Sequence, residues 1–189
     1  MPRPLKPVAG LALVFALAAC SPGADVSPTP SFVTPSVTAS ASPTPTPDMD
    51  ALYAEAERVL RRSFELEDRY IVGGNFDEYP PELFELLADP YLSLSQTGFT
   101  HFKESGQRGI EGTTPVITTQ PLPGVSTRGS EVALAVCLDT RPAPLVDRNG
   151  TVVSEGVLKV STYFFKQFEG KLKLFQAESG AEVDKCPFS

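Results

Sequence analysis

The sequence predicts an α+β fold, in which N-terminal helices of a folded domain pack on one face of a curled antiparallel sheet. Apolar residues recur at helical spacing between residues 49 and 95. After about residue 115 the period changes to that of strands, with successive side chains assigned to alternate faces. The folded domain is predicted to span residues 49–189, since about 140 residues is an ordinary size for one domain.

Residues 1–19 are typical of a secretory signal peptide. Arg3 and Lys6 precede an apolar run over residues 8 to 19, and no acidic residue occurs before Asp25. The run has about twelve residues, which is too short to span a bilayer because a spanning helix needs about 20. Small residues at the end of the run suit removal of the segment during export.

The segment LAAC at residues 17 to 20 resembles the lipobox of bacterial lipoproteins. The resemblance implies that the signal is removed just before Cys20, which then carries acyl chains such as palmitate. Two or three acyl chains hold a protein firmly, since each buried methylene contributes about 0.8 kcal/mol. We therefore expect a protein anchored in the cell membrane through Cys20 and facing the extracytoplasmic side. The alternative is an ordinary secretory signal with a chance cysteine.

Residues 20–48 are predicted to be a disordered tether that begins at the lipidated cysteine. Residues 21 to 47 are nearly all Ser, Thr, Pro, Ala and Val, and such a segment buries too little apolar surface to offset its ordering entropy. Proline favours an extended chain with a rise of about 3.1 Å per residue, so 27 residues could reach roughly 80 Å. The tether would hold the folded domain away from the membrane.

Two helices are predicted at the start of the folded domain. The first covers residues 48 to 70, where Asp48 or Asp50 can cap the first turn, and glycines at 73 and 74 end it. Its buried stripe is marked by residues at helical spacing: Leu52, Ala56, Val59, Leu60, Ser63 and Leu66. The second helix is predicted over residues 80 to 95, with an interruption at Pro90.

Four strands are predicted after the helices. Residues 114 to 126 contain three prolines and favour an edge strand. Residues 130 to 140 alternate, which places Val132, Leu134, Val136 and Leu138 on one face. An Asn-Gly turn at residues 149 and 150 precedes a long strand over residues 156 to 168, whose aromatic residues are interpreted as core. Glu169 and Gly170 form a hairpin turn into the last strand.

Cys137 and Cys186 remain once Cys20 is assigned to the lipid. An even pair in an exported protein predicts a disulfide. The bond would close a loop of about 50 residues and contribute about 4 kcal/mol in the chain-entropy model. A metal pair or a redox pair is the alternative, but neither cysteine has another Cys or His at ligand spacing.

The lipobox, the Ser/Thr/Pro tether and the order of elements together resemble the small exported lipoproteins of actinobacteria. Their folded domain is a cystatin-like or nuclear-transport-factor-like roll, which the resemblance implies here. In those proteins a C-x-D strand is often tied to a cysteine near the C-terminus. CLD at residues 137 to 139 and the DKC that ends at Cys186 match that pattern. The chain lacks the tryptophan that these domains often carry after the last hairpin.

Four residues are candidates for a pocket at the opening of the roll: Tyr91, His101, Asp139 and Tyr163. An Asp with a Tyr or His can act as an acid/base pair. Alternatively, His101 is a surface residue in a loop and Asp139 only ends its strand and begins the next turn. The sequence has no Walker loop or dinucleotide fingerprint and too few ligands for zinc, so neither a metal nor a cofactor is expected.

The formal charge of −7 becomes −9 once Arg3 and Lys6 are removed, which argues against a nucleic-acid partner. With so few catalytic candidates, we expect a binding module of the cell envelope and no catalysis. The partner would be another envelope protein or a small apolar ligand. One alternative is a small isomerase- or hydrolase-like enzyme that uses His101 and Asp139. Another is a phage or prophage exclusion-type lipoprotein.

Overall fold

The computed structural model describes residues 48–188, all of which fall within one compact unit of the chain. The predicted signal peptide, Cys20 and the tether up to residue 47 lie outside the described residues. Over the described range, no helix is long and apolar enough to cross a bilayer. Helices come first along this range and two antiparallel sheets follow, so the predicted α+β class is confirmed.

Helix α1, Met49–Gly73, matches the first predicted helix. The Asp48 carboxylate accepts hydrogen bonds from two backbone N–H groups of the first turn, at 3.1 and 3.3 Å. Gly74 ends the helix at a positive φ of 62°, a conformation that glycine adopts without strain. Most of the predicted stripe is buried: Ala56, Val59, Leu60, Ser63 and Leu66. Leu52 is half-buried beside it.

The second predicted helix is two helices in the structure. Helix α2, Leu83–Leu86, is a single turn, and helix α3, Tyr91–Ser105, begins directly after Pro90. Proline lacks the N–H that would continue a preceding helix but fits the start of a new one. Because α3 continues to Ser105, His101 lies in a helix and not in the expected loop.

Seven strands follow in the described part of the chain: β1 Arg108–Gly109, β2 Val116–Pro121, β3 Val132–Asp139, β4 Leu145–Val146, β5 Val152–Ser154, β6 Leu158–Phe168 and β7 Lys171–Glu178. The larger sheet has the order β2-β3-β6-β7, and the smaller one has the order β1-β4-β5. Strand β2 is an edge strand, as its prolines predict.

Both predicted turns are present. Glu169 and Gly170 have positive φ angles of 52° and 78°, which fit the tight turn between β6 and β7. In the Asn-Gly turn between β4 and β5, the Asp147 carboxylate accepts hydrogen bonds from the backbone N–H groups of Asn149 and Thr151, at 2.8 and 2.9 Å. Each turn therefore joins two antiparallel neighbours.

The larger sheet buries side chains on both faces. On the face toward α1, Val132, Leu134 and Val136 pack with Tyr163 and Phe165. The opposite face buries a smaller cluster made of Ala133, Phe164 and Phe175. The predicted division of β3 between two faces is confirmed, both faces are buried, and the aromatic residues of β6 belong to the core.

The chain after β7 continues along the start of β6. The Val160 N–H donates to the Ala181 carbonyl at 3.1 Å, and the Val183 N–H donates to the Leu158 carbonyl at 3.0 Å. Gly180 packs so closely on the Val160 carbonyl that a Cβ atom at residue 180 would overlap it. This path leads the C-terminal segment toward Cys137 on β3.

Candidate functional site

Tyr91 and Tyr163 are the two pocket candidates that the structure brings together. Tyr91 is the first residue of α3 and Tyr163 lies on β6. Their ring centroids are 6.0 Å apart. Tyr163 is only 8% exposed, and burial raises the pKa of its hydroxyl to about 12. Burial also raises the pKa of Tyr91 well above its ordinary value. Both hydroxyls therefore keep their protons at neutral pH.

His101 and Asp139 lie elsewhere. His101 is exposed on α3, where its ring neighbours Phe102 with centroids 6.3 Å apart. Asp139 shares the face of β3 that bears Cys137, whereas Tyr163 packs with the face toward α1. The structure therefore does not bring His101 and Asp139 together with the two tyrosines.

Arg141 is the partner of Asp139. Its Nε and Nη2 atoms donate to the two carboxylate oxygens at 2.8 and 2.7 Å. The backbone N–H of Arg141 donates to the same carboxylate at 3.1 Å. The Arg141 guanidinium lowers the pKa of Asp139, so this carboxylate is charged at neutral pH and occupied by its own turn.

Glu67 was missed by the sequence analysis and lies beside the tyrosines. Its carboxylate accepts a hydrogen bond from the Ser95 hydroxyl at 2.6 Å, and Ser95 accepts one from the Tyr79 hydroxyl at 2.9 Å. Burial raises the pKa of Glu67, and the Ser95 hydrogen bond offsets only part of that effect. The chain supplies this carboxylate with a neutral partner instead of a cation.

Tyr79, Tyr91 and Tyr163 form a group around Glu67, which we call the tyrosine cluster. Burial is the main cause that raises the pKa of each hydroxyl, and the charge on Glu67 adds to it in all three. For Tyr79 the pKa reaches about 12. A negative charge on Glu67 therefore makes all three hydroxyls harder to deprotonate.

Glu67 is also one of the residues that line a cavity of about 250 Å³ between α1 and the β2–β3 edge of the larger sheet. We call it the apolar cavity after its main lining residues: Phe64, Ile71, Pro115, Ile117 and Leu138. Ile117 and Leu138 are direct cross-strand partners in the ladder between β2 and β3. The ring centroids of Phe64 and Tyr163 lie 5.6 Å apart in an edge-to-face contact, which connects the cavity wall to the tyrosine cluster.

Three acidic residues also line the apolar cavity: Glu65, Glu67 and Asp68. Burial raises the pKa of Asp68. A second cavity of about 190 Å³ shares Asp68, Ile71, Pro115 and Thr140 with the first, so the two adjoin at Asp68. Their combined volume lies in the lower part of the range of about 300 to 1,000 Å³ that small-molecule sites occupy.

Cys137 and Cys186 are neighbours in the structure. Cys137 is 2% exposed on β3, and its pKa is raised to about 12 by burial and by the adjacent Cys186 thiol. The position of the C-terminal segment on β6 accounts for the approach. The two side chains interact as thiols in this structure, and a disulfide between them stays a prediction. Over the described residues no group of three or more His, Cys, Asp or Glu side chains could hold a metal ion.

Comparison with known proteins assigns no family to this arrangement. The sequence matches no protein-family model, and no curated protein is significantly similar to it. The function is therefore argued from the apolar cavity and the carboxylates beside it.

Proposed function

We propose that this chain is a lipoprotein of the cell envelope, anchored through acyl chains on Cys20, whose folded domain binds a small apolar ligand. The lipobox resemblance of residues 17 to 20 supports the anchor, and the Ser/Thr/Pro composition of residues 20–48 supports a tether on the extracytoplasmic side. The folded domain is a cystatin-like roll in this proposal. The order of helices first and an antiparallel sheet afterwards supports that fold type.

The observation that carries the binding function is the apolar cavity itself. Ile117 and Leu138 belong to the sheet but are only partly covered, because α1 meets this edge of the sheet across a gap. A concave apolar surface with a few polar groups at one side is the usual form of a small-molecule site. We therefore propose that the cavity, and not the exposed His101, is the functional part of the domain.

Binding is favoured over catalysis by the positions of the two residues that an enzyme would use. Asp139 is occupied by Arg141, and His101 lines neither the apolar cavity nor the one that adjoins it. An acid/base pair must come within hydrogen-bond reach of one reacting group. The arrangement gives no support to a proton relay between these two side chains.

Native mass spectrometry tests the binding function. Residues 21–189, exported behind an ordinary signal peptide so that they emerge without lipid, should retain a small apolar molecule. Ile117→Trp fills the apolar cavity and should abolish the adduct. Val116→Trp is the matched control, because Val116 is the preceding residue of β2 and is 56% exposed. An adduct that survives Ile117→Trp would place the ligand elsewhere and overturn the proposal.

The anchor has a separate test. Cells that are fed an alkyne analogue of palmitate should label the full chain, and Cys20→Ser should remove the label. Cys137→Ser controls for the loss of a cysteine as such and should leave the label in place. Labelling that persists in Cys20→Ser, or labelling absent from the parent chain, would show that Cys20 is not lipidated.

A further inference from the structure

A further cavity, of about 390 Å³, lies where α1 and α3 end, and its charge is opposite to that of the whole chain. We call it the basic pocket after its charged lining residues: Asp77, Lys103, Arg108 and Arg148. Lys103 already has a carboxylate partner, since its Nζ atom lies 3.2 Å from Asp77. The two arginines therefore leave the pocket with a net positive charge, in a chain whose formal charge is −7.

The smaller sheet brings the two arginines to one pocket. Arg108 on β1 is the cross-strand partner of Val146 on β4, and Arg148 follows Val146 by two residues. The Nε atom of Arg148 lies so close to Gly106 that a Cβ atom at residue 106 would overlap it. The absence of a side chain at Gly106 therefore gives the Arg148 guanidinium its place in the pocket.

Neither arginine of the basic pocket has a partner among residues 48–188, since no ion pair or hydrogen bond joins its guanidinium to another described residue. Asp147, which precedes Arg148, is occupied by backbone N–H groups of its own turn. A guanidinium carries five N–H donors, so both arginines are able to bind an anion. Four other arginines of this range are each paired with a carboxylate: Arg58, Arg61, Arg62 and Arg141.

The helix ends explain part of this charge but not all of it. Gly74 and Gly106, which follow α1 and α3, line the basic pocket, and the C-terminal end of a helix carries about half a negative charge. Two such ends offset about one positive charge, so the pocket stays positive. Neither guanidinium donates a hydrogen bond to the last carbonyls of these helices, which leaves the donors available to a ligand.

We infer that the basic pocket binds a small organic oxyanion, a phosphate or carboxylate group carried on an aromatic or other apolar body. The planar fork of a guanidinium matches two oxygens of either group with parallel hydrogen bonds. Phe76 and Phe102 supply a surface for the body, since both line the pocket and their rings stack with centroids 5.6 Å apart.

This site is separate from the apolar cavity. The two share no lining residue, so the inference does not rest on the ligand proposed for the apolar cavity. A volume of about 390 Å³ lies within the range of about 300 to 1,000 Å³ that small-molecule sites occupy. The carboxylates that line the apolar cavity would repel an oxyanion, which makes the basic pocket the better place for one.

Four probes test the inference: phenyl phosphate, benzoate, benzyl alcohol and inorganic phosphate. Each is titrated at neutral pH and low ionic strength into the chain without lipid, residues 21–189, and binding is followed by NMR. Phenyl phosphate should bind most tightly, because it combines a ring with a charge of about −1.5 to −2. Benzoate should follow, and benzyl alcohol should bind at least tenfold more weakly than phenyl phosphate. The backbone amide signals of Gly74, Gly106 and Gln107 should shift, and added salt should weaken binding.

Substitutions at the two arginines locate the effect. Arg108→Gln and Arg148→Gln should each lower the affinity for phenyl phosphate about tenfold, as expected when a charge-assisted hydrogen bond is lost. Arg69→Gln is the matched control, because it removes the same charge from an exposed arginine of α1 that does not line the pocket. An equal loss in Arg69→Gln would be a general effect of net charge and would overturn the inference.

The remaining outcomes separate this site from the apolar cavity. Ile117→Trp fills the apolar cavity and should leave the binding of phenyl phosphate unchanged; binding that this variant abolishes would belong to the apolar cavity and would overturn the inference. Equal binding of inorganic phosphate and phenyl phosphate would show that the two phenylalanine rings contribute nothing and would overturn the organic ligand. Failure of every anion to bind to a chain whose NMR spectrum shows a folded domain would overturn the basic pocket as a site and leave the proposed function standing.

Discussion

Glu67 and Asp139 show how differently one chain treats two carboxylates. Asp139 lies near the surface, where Arg141 holds its side chain with two hydrogen bonds and lowers its pKa. Glu67 lies between the apolar cavity and the tyrosine cluster, where burial raises its pKa and Ser95 is its hydrogen-bond partner. A carboxylate satisfied within its own turn therefore has little left for a ligand. Glu67 has only the neutral Ser95 hydroxyl as its partner.

Tyr163→Ala should have the largest effect, because it disrupts the surroundings of Glu67 and leaves Asp139 with Arg141. Tyr163 is buried against Phe64 and Tyr91, so its truncation leaves a large hole beneath α1. Loss of a buried aromatic side chain costs about 3 to 5 kcal/mol of unfolding free energy, and water entering the hole would bring the pKa of Glu67 toward its ordinary value. Urea denaturation measures the loss. Tyr163→Phe keeps the ring and should cost much less; an equal loss in both variants would show that the hydroxyl matters most.

Reduction of the predicted disulfide should affect stability but not the cavity, because the bond would lie near Asp139. The oxidised chain should be two hydrogens lighter than the reduced chain by mass spectrometry. Reduction should lower the unfolding free energy by about 4 kcal/mol in the chain-entropy model. Retention of the small apolar molecule by the reduced chain that remains folded should not change in native mass spectrometry. A fully reduced mass after export into an oxidising compartment would remove the bond from the account.

Glu67→Gln should change how stability depends on pH. Because folding raises the pKa of Glu67, the native state keeps this proton at pH values where the unfolded chain has lost it. The parent chain therefore loses stability as pH rises from the ordinary glutamate value, near 4.5, through the raised value. Above that window the variant should be more stable by about 1.4 kcal/mol for each unit of pKa difference.

Denaturation at a series of pH values measures the effect of Glu67→Gln. Below the window both chains carry a neutral side chain at residue 67, and their stabilities should converge. Glu55→Gln is the matched control, because Glu55 is exposed on the same helix and its pKa is lowered by Arg58. A constant difference between parent and Glu67→Gln at every pH would contradict a raised pKa.

Asp139→Asn should have the smallest effect and the opposite sign. The pKa of Asp139 is lowered in the fold, so its contribution is present above the ordinary aspartate value, near 3.8, and is lost as pH falls through the lowered value. The variant should be slightly less stable than the parent at neutral pH, since an ion pair near the surface contributes little. The same denaturation series checks this, and Arg141→Gln should reproduce the result. A stability gain at neutral pH would contradict a lowered pKa of Asp139 in the folded chain.

The sequence predicted those parts of the fold that depend on local pattern. The stripe of α1, the alternation along β3 and the turn at Glu169 each follow from residues close together in the chain. The division at Pro90 was only half predicted, because an interruption was expected but not a new helix that continues to Ser105. The residues after Ser95 are polar and aromatic, and their packing through Phe99 into the core is a tertiary effect.

The site was predicted less well, because its parts come from distant segments. Glu67, Tyr79, Ser95 and Tyr163 meet only when α1, α3 and β6 are packed together. One local signal was available: Glu67 lies four residues after the buried Ser63, on the same stripe. A charged residue on a helix is usually solvated, so the spacing alone does not predict that Glu67 is buried.

Gly180 has a consequence for the chemical reactivity of the two cysteines. No Cβ fits at this residue, because the Val160 carbonyl occupies the space. A single methyl group there would push the C-terminal segment off the edge of β6 and carry Cys186 away from Cys137. The Cys137 thiol would then lose the neighbouring thiol that it needs to form the predicted disulfide. One hydrogen atom in place of a side chain therefore governs whether two thiols elsewhere in the fold can be joined.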